Sequence, residues 1–157
     1  MKSSVYILDT RENPAYRWTF EEYLKDGECT EIKKVDTGDY TIAGLEDVIS
    51  IDRKKSLDEV IGDLFKDKAR FTRELDRAKG IESFYIICEF GYTDVLRGSR
   101  YSKITPAYLL SVITEIEYKY PNVRFHFAGS AKNAEYVAYR ILSSFIRIKN
   151  GEYRWAK

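Results

Sequence analysis

The sequence predicts an α/β fold, a mixed β-sheet flanked by helices on both faces. Short apolar segments with the character of strands alternate along the chain with amphipathic segments of helical spacing. The segment 84–90 is an almost continuous apolar run, which is typical of a strand buried on both faces and would lie at the centre of the sheet. Covering both faces of such a strand requires two helical layers.

The first half of the chain contains four predicted strands and one short predicted helix. The first strand covers 5–8. Thr19 followed by Glu22 has the spacing of a capping box, which predicts a helix that ends near Gly27. Three more strands, 30–35, 40–42 and 48–53, are expected to form a meander beside the first.

The second half alternates helices and strands. Ser56 and Glu59 form another capping box, so a helix should begin directly after the strand 48–53, and a further helix covers 69–79. Thr105 followed by Pro106 marks a helix start, and that helix should end before Pro121. A half-exposed strand at 123–127 and an amphipathic helix at 134–145 complete the order.

Composition predicts one domain over residues 1–157. A chain of 157 residues with 44% hydrophobic residues can bury one core. Cys29 and Cys88 fall in predicted strands and lack metal-ligand spacing, so we expect small buried hydrophobes in a reducing compartment. No apolar run reaches about 18 residues and no secretion signal is recognisable, which predicts a cytoplasmic protein without a membrane segment.

Acidic and basic residues cluster around the strand 48–53. Asp52 and Lys54 are two residues apart on a strand, so their side chains leave the same face of the sheet, while Arg53 points to the other. Asp39 follows Gly38 at a predicted tight turn and could add a second carboxylate from a neighbouring strand. Cleavage of a phosphodiester requires carboxylates that bind a divalent cation, with a fixed positive charge beside them. The predicted site lies at one edge of the sheet.

This pattern resembles the signature G-D-x(n)-E-R-K-x-x-x-D of the XPF-type structure-specific nucleases. Those enzymes are a branch of the PD-(D/E)xK restriction-endonuclease-like superfamily. The pair Gly38-Asp39 stands at the start of the signature, the triplet 52–54 stands at Glu-Arg-Lys, and Asp58 stands at the final Asp. Asp9, Arg11 and Glu12 are similar to the family's Asp-x-Arg-Glu, and the apolar segment that ends in Glu89 is similar to its next strand. The resemblance runs from about residue 4 to about residue 90.

The resemblance implies a restriction-endonuclease-like fold and a DNA endonuclease that depends on Mg²⁺ or Mn²⁺ and acts at branched or flap DNA. In this family pattern Asp39, Asp52 and the backbone carbonyl of Arg53 would bind the metal, and Lys54 would orient the attacking water. The further site residues that the resemblance implies are Asp9 and Asp58 as outer or alternate ligands, and Arg11, Glu12 and Glu89 as supporting groups. Aspartate replaces the glutamate of the signature but keeps the metal-binding carboxylate.

Charge and family resemblance also suggest partners. The net charge is only +1, yet basic residues crowd 53–79, and the candidate DNA contacts are Lys55, Arg70, Arg73 and Arg77. Acidic residues are interspersed there, so an ordinary solvated helix face is the alternative. The tandem helix-hairpin-helix domain of the relatives has no counterpart in this sequence. DNA binding could therefore depend on a homodimer or a heteromeric partner, and a noncatalytic scaffold subunit is the alternative function.

Overall fold

The computed structural model describes residues 4–155, in which six strands form one mixed sheet. The spatial order is β2-β1-β3-β4-β5-β6. β3 is antiparallel to β1 and to β4, and the other neighbouring pairs are parallel. The strands are β1 Val5–Leu8, β2 Cys29–Ile32, β3 Tyr40–Ile42, β4 Ile49–Lys54, β5 Ser83–Cys88 and β6 Val123–Phe127.

Five α-helices and one π-helical segment cover the sheet. The helices are α1 Leu57–Ile61, α2 Lys68–Ala78, α3 Tyr92–Arg97, α4 Pro106–Lys119 and α5 Ala131–Lys149, and the π-helical segment is Gly62–Lys66. Side chains of α1, α2 and α4 share one hydrophobic cluster with β5 and β6. Side chains of α5 share a second cluster with β1, β3 and β4. The predicted α/β fold with helices on both faces is confirmed.

The predicted starts of helices α1 and α4 are confirmed. Ser56 Oγ accepts a hydrogen bond of 3.1 Å from the backbone N–H of Glu59, and Thr105 Oγ1 accepts one of 3.2 Å from Tyr108. Each bond satisfies an N–H group that the first turn of a helix leaves without an intrahelical partner. Glu59 in turn accepts from the N–H of Lys55, at 2.9 Å. Helix α1 therefore begins three residues after the lysine of the candidate site.

The helix predicted from Thr19 is wrong. Residues 21–23 form a turn, and Phe20 has a φ of 61°, which interrupts a right-handed helix. Trp18 and Phe20 are both buried, and Trp18 stacks on Tyr40 with ring centroids 4.7 Å apart. Residues i and i+2 lie on the same side of an extended backbone but on different sides of a helix, so an extended segment buries both rings more readily. Tertiary packing of these rings therefore overrides the local capping signal.

Two other expectations about the sheet are corrected. β2 lies at the outer edge and is parallel to β1, so the predicted meander is interrupted. The side chains of β2, including Cys29, are mostly exposed, which suits an edge strand. β5 lies one strand in from the β6 edge, not at the centre, although Phe84, Ile86 and Ile87 are fully buried. The sequence analysis did not predict the short helix α3. No helix among residues 4–155 is long and apolar enough to cross a membrane.

Candidate active site

The ends of three neighbouring strands meet at one polar cavity. Asp9 follows β1, Asp39 precedes β3, and Asp52 lies near the end of β4. Backbone hydrogen bonds join the three segments, because Asp9 N–H donates to the Asp39 carbonyl and Asp39 N–H donates to the Ile51 carbonyl, at 2.8 and 2.7 Å. The cavity has a volume of about 270 Å³ and is lined by Asp9, Arg11, Glu12, Asp36, Thr37, Gly38, Asp39, Asp52, Glu74 and Arg77.

Gly38 brings the turn before β3 directly against β4. Its φ is +97°, a region that L side chains rarely adopt, and an added Cβ would overlap the Ser50 Oγ and lie 3.0 Å from the Ile51 carbonyl. Ser50 Oγ donates a 2.6 Å hydrogen bond to the Thr37 carbonyl, which fixes the turn on β4. The glycine is therefore needed both for backbone conformation and for close approach. It places the Asp39 carboxylate beside Asp52.

Asp39 and Asp52 form a closely coupled pair of carboxylates. Asp39 accepts a 2.8 Å hydrogen bond from the N–H of Arg53, and Asp39 and Asp52 line the same cavity. Burial and, next, the charge of Asp52 raise the pKa of Asp39 well above its ordinary value. Asp52 Oδ2 is buried, and the Lys54 ammonium lies 2.9 Å from it. A bound cation would relieve the repulsion between the two carboxylates.

The backbone of Arg53 faces the same pair. The Lys54 carbonyl accepts from Glu89 N–H on the β5 side, at 2.8 Å, whereas Arg53 N–H donates to Asp39 on the β3 side. Because the N–H and C=O groups of one strand residue point to the same side, the Arg53 carbonyl also lies on the Asp39 side. One backbone carbonyl and two carboxylates therefore face one region.

Lys54 lies between two carboxylates on the same sheet face as Asp52. Its Nζ is 2.9 Å from Asp52 Oδ2 and 2.7 Å from Asp63 Oδ2, and only 9% of its side chain is exposed. Burial by itself lowers the pKa of Lys54, but the charges of Asp52 and Asp63 outweigh burial and raise this pKa. Lys54 is therefore a fixed ammonium group, suited to binding phosphate or a water molecule.

The Arg53 side chain occupies the opposite face of β4, as alternation predicts. Its guanidinium is 2.9 Å from Glu89 Oε2 and 3.6 Å from Glu12 Oε1, and it lies over the Trp18 ring at 4.8 Å. Trp18 Nε1 also donates to Glu89, at 2.9 Å. All of these side chains are nearly buried. The network stabilises β4 on the face opposite to Asp52 and Lys54. Glu12 and Glu89 are therefore structural supports of the cavity.

Asp9 is fully buried and both of its oxygens have partners. Oδ2 accepts from Arg11 Nε at 2.7 Å, and Oδ1 accepts from the N–H of Val35 at 2.9 Å. Arg11 also donates to the Val35 carbonyl, at 2.6 Å. Asp9 therefore connects the segment after β1 with the loop before β3. This arrangement suits an outer position in the site, and the role of Asp9 in metal binding stays a prediction.

The structure does not bring Asp58 into the cavity. Its side chain is exposed in the first turn of α1 and accepts a short hydrogen bond from the Ser99 hydroxyl. The expectation that Asp58 is an alternate metal ligand is therefore corrected. The reason is helical geometry: residues directly after Ser56 begin a helix, which directs Asp58 away from the strand face that carries Asp52 and Lys54.

Asp63 and Glu74 reach the site and were missed by the sequence analysis. Asp63 lies in the π-helical segment, where side-chain directions differ from those of an α-helix, so α-helical periodicity did not predict its position. Glu74 falls within the apolar stripe Phe71, Leu75 and Ala78 of α2, so an acidic residue at a core-facing position was a usable signal. Burial and, next, the charge of Asp52 raise the pKa of Glu74 to about 7.

The predicted DNA contacts lie on exposed surface near the cavity. Lys55, Arg70, Arg73 and Arg77 are all exposed. Arg77 lines the cavity, and Arg70 forms ion pairs of 3.4 and 3.5 Å with Asp63 and Asp67. The geometry is compatible with phosphate binding and also with a solvated helix face.

The residues present fit a divalent cation. Among residues 4–155, no three His, Cys, Asp or Glu side chains already form a complete ligand cluster. Mg²⁺, however, is often bound by one or two carboxylates while it keeps several waters. Asp39, Asp52 and the Arg53 carbonyl provide such a set, and one cation would offset the repulsion between the two neighbouring carboxylates.

Comparison with known proteins identifies the family. The chain matches the ERCC4 domain over residues 8–140, a range that contains every candidate site residue. The chain belongs to the ERCC4 domain family. No curated protein matches it. The candidate site is therefore the acidic cavity of an ERCC4 domain.

Two solved structures share the fold of this ERCC4 domain. XPF from Aeropyrum pernix is 21% identical, with a TM-score of 0.67 over 95% of this chain. The same protein in complex with DNA is 18% identical, with a TM-score of 0.65 over 91% of this chain. The chain spans 64% and 65% of the length of those two chains. These likenesses establish the nuclease-like fold.

Proposed function

We propose that this ERCC4 domain is a metal-dependent DNA endonuclease that hydrolyses phosphodiester bonds at branched or flap DNA. The observation that carries the proposal is the Asp39–Asp52 pair, with the Lys54 ammonium 2.9 Å from Asp52. Membership of the family supports a nuclease function. The complex of Aeropyrum pernix XPF with DNA supports DNA as the substrate.

In this mechanism Asp39, Asp52 and the Arg53 carbonyl would hold Mg²⁺ or Mn²⁺, which would polarise the phosphate and activate water when bound. Lys54 orients the attacking water and stabilises the negative charge that develops on the phosphate. Asp9 and Arg11 maintain the outer wall of the cavity through their mutual ion pair. Arg53, Glu12 and Glu89 keep β4 rigid, so that the reactive groups do not need to reorganise during the reaction.

Cleavage of end-labelled DNA tests this function. Single-stranded, duplex, flap and four-way DNA are incubated with Mg²⁺ or Mn²⁺ and with wild type, Asp39→Ala or Lys54→Ala. We expect metal-dependent cuts that Lys54→Ala slows by about 100-fold or more, because a charge aimed at the developing oxyanion is removed. Asp47→Ala and Lys149→Ala, exposed residues away from the cavity, are the matched controls.

The outcomes distinguish the two candidate functions. Cuts that disappear in both active-site variants but persist in both controls support the endonuclease. Binding of DNA without cutting by wild type contradicts it and favours the noncatalytic scaffold subunit. The relative rates on the four DNA forms test the proposed preference for branches and flaps.

A second copy of the chain is the partner that we propose for the apolar groove beside α5. The groove has a volume of about 410 Å³ and is lined mainly by apolar side chains: Ile49, Tyr85, Val137, Ile141, Phe145 and Ile148, with Arg140 and Ser144. The resemblance to XPF-type nucleases implied pairing through the nuclease domain. A heteromeric partner is the alternative.

Light scattering after size exclusion tests the homodimer. We expect about twice the monomer mass for wild type, and the monomer mass for Ile148→Glu, because a carboxylate would be buried against apolar surface. Ile148 is 40% exposed, so this variant should still fold. Leu96→Glu, at a residue that is 63% exposed and outside the groove, is the control. A monomeric wild type contradicts the homodimer.

A further inference from the structure

One contact in the site is not explained by the signature residues. The Lys54 ammonium lies 2.7 Å from Asp63 Oδ2, closer than its 2.9 Å approach to Asp52. Only 12% of the Asp63 side chain is exposed. A carboxylate is rarely buried to this degree without a charged partner. Arg70, 3.4 Å from Asp63 Oδ1, is 70% exposed, so Lys54 is the closer and the buried partner of Asp63.

The chain makes an unusual turn to place Asp63 there. Between α1 and α2, Gly62–Lys66 is π-helical, and Asp67 N–H donates to the Gly62 carbonyl at 2.7 Å, which spans five residues. A π-helical segment contains an extra residue relative to an α-helical turn, which changes the direction of the side chains and is frequent at functional sites. Here Asp63 is directed to β4 while Leu64 remains in the core.

A cation at Asp39 and Asp52 would weaken the other attachment of Lys54. A divalent ion neutralises the Asp52 carboxylate and repels the ammonium group. The Phe71 ring, 5.5 Å from Nζ, contributes only a weak attraction. Asp63 then supplies the main negative charge that keeps Lys54 in place.

We propose that Asp63 is a positioning residue, which holds the Lys54 ammonium at the reaction site when a metal ion is bound to Asp39 and Asp52. The inference rests on the proposed endonuclease function. Asp63 acts through Lys54 and does not itself contact the substrate. The contact is also specific to Asp63, because neighbouring Asp67 is half-exposed and pairs only with Arg70 among the described residues.

Cleavage kinetics and lysine labelling test the proposal together. Asp63→Asn should lower kcat by about 10–100-fold at nearly unchanged KM, as removal of a residue that orients a reactive group does. Asp63→Glu, which keeps the charge, should restore most of the rate. In the Lys54→Ala background, Asp63→Asn should have no further effect. Asp67→Asn is the matched control and should leave kcat unchanged.

Labelling with acetic anhydride, followed by mass spectrometry, reports on Lys54 without any cleavage. In wild type, with or without Mg²⁺, Lys54 should react much more slowly than Lys132, whose side chain is 77% exposed. In Asp63→Asn with Mg²⁺, Lys54 should react about tenfold faster or more, because a charged hydrogen-bond partner is missing. Without Mg²⁺, Asp52 should keep Lys54 largely protected in the same variant.

Each contrary result overturns the proposal. Wild-type kcat with continued protection of Lys54 in Asp63→Asn shows that Asp63 is not needed. An equal loss of rate in the Lys54→Ala background shows that Asp63 acts elsewhere. If Asp63→Asn does not fold, Asp63→Glu decides: wild-type kcat with Lys54 as reactive as Lys132 overturns the proposal. If wild type cuts no DNA, the proposed function fails, and labelling alone decides whether Asp63 holds Lys54.

Discussion

At the scale of single residues, the site depends on how closely two strands can approach. Gly38 and Asp39 are adjacent in sequence, and the glycine allows the turn that places the Asp39 carboxylate beside β4. The glycine adopts a φ of +97° and leaves no space for a side chain against Ser50. Asp39 can therefore bind the Arg53 N–H and face Asp52 in the same short turn.

Gly38→Ala should lower the free energy of unfolding by more than Gly44→Ala does. Both glycines have positive φ, +97° and +84°, so each alanine incurs backbone strain of about 1–3 kcal/mol. Only at Gly38 does the new methyl group also meet Ser50 and Ile51, whereas nothing lies within 4 Å at Gly44. Urea unfolding of both variants measures the difference. Equal losses would show that the close approach costs nothing.

At the scale of elements, strand β4 and helix α2 each contribute charged groups to the cavity. Successive residues of β4 point to opposite faces, so Lys54 joins the carboxylates while Arg53 binds Glu12 and Glu89 behind the sheet. Helix α2 lies across the same end and contributes Glu74 from its core-facing side. Without a bound cation, this concentration of acidic groups should make stability depend on pH.

In the presence of a chelator, the free energy of unfolding should fall as pH rises from about 4.5 to 7. Burial raises the pKa of Glu74 from 4.5 to about 7, so the folded state binds this proton more tightly than the unfolded state. The stability that this group contributes is fully present below its unfolded pKa and is lost as pH rises through its folded pKa. Glu74→Gln should remove a dependence on the order of 2 kcal/mol.

Urea unfolding at pH 4.5, 6 and 7.5 compares wild type with Glu74→Gln. Asp39, whose pKa is raised in the same direction, should leave a residual dependence in the variant. Glu115→Gln, at an exposed position of helix α4 outside this cavity, is the matched control. Identical pH profiles for wild type and Glu74→Gln would contradict the assignment.

At the scale of the whole molecule, the net charge is nearly zero, but acidic and basic side chains lie in different places. The net charge is +1, with 26 basic and 25 acidic side chains. Acidic groups gather inside the cavity, while Lys55, Arg70, Arg73 and Arg77 are exposed. A nearly neutral chain can therefore present local positive charge to a phosphate backbone.

Arg77→Ala should weaken DNA binding and reduce the slope of log affinity against log salt by about 1, because the variant neutralises one phosphate fewer. Lys149→Ala is the control: Lys149 pairs with Glu82, just before β5, at the end of the sheet opposite to the cavity. Fluorescence anisotropy in a chelator measures binding without cleavage. An unchanged slope for Arg77→Ala would assign this arginine to the solvated helix face.

Most of the fold and the order of the signature residues could be predicted from local sequence features. Strands such as 40–42 and the helix starts at Ser56 and Thr105 follow from local periodicity and from caps that lie within a few residues. The shared face of Asp52 and Lys54 follows from strand alternation alone. These features need no knowledge of distant residues, because their physical causes are local.

The other features depend on contacts between residues that are distant in sequence. The turn at Phe20 replaces a predicted helix because two aromatic rings bury together, and Asp58 leaves the site because a helix begins between it and the strand. Asp63 enters the site through a π-helical turn whose register no periodic pattern reveals. Each outcome depends on competition between local preference and the burial of distant groups, which becomes defined only once the sheet and its helices are assembled.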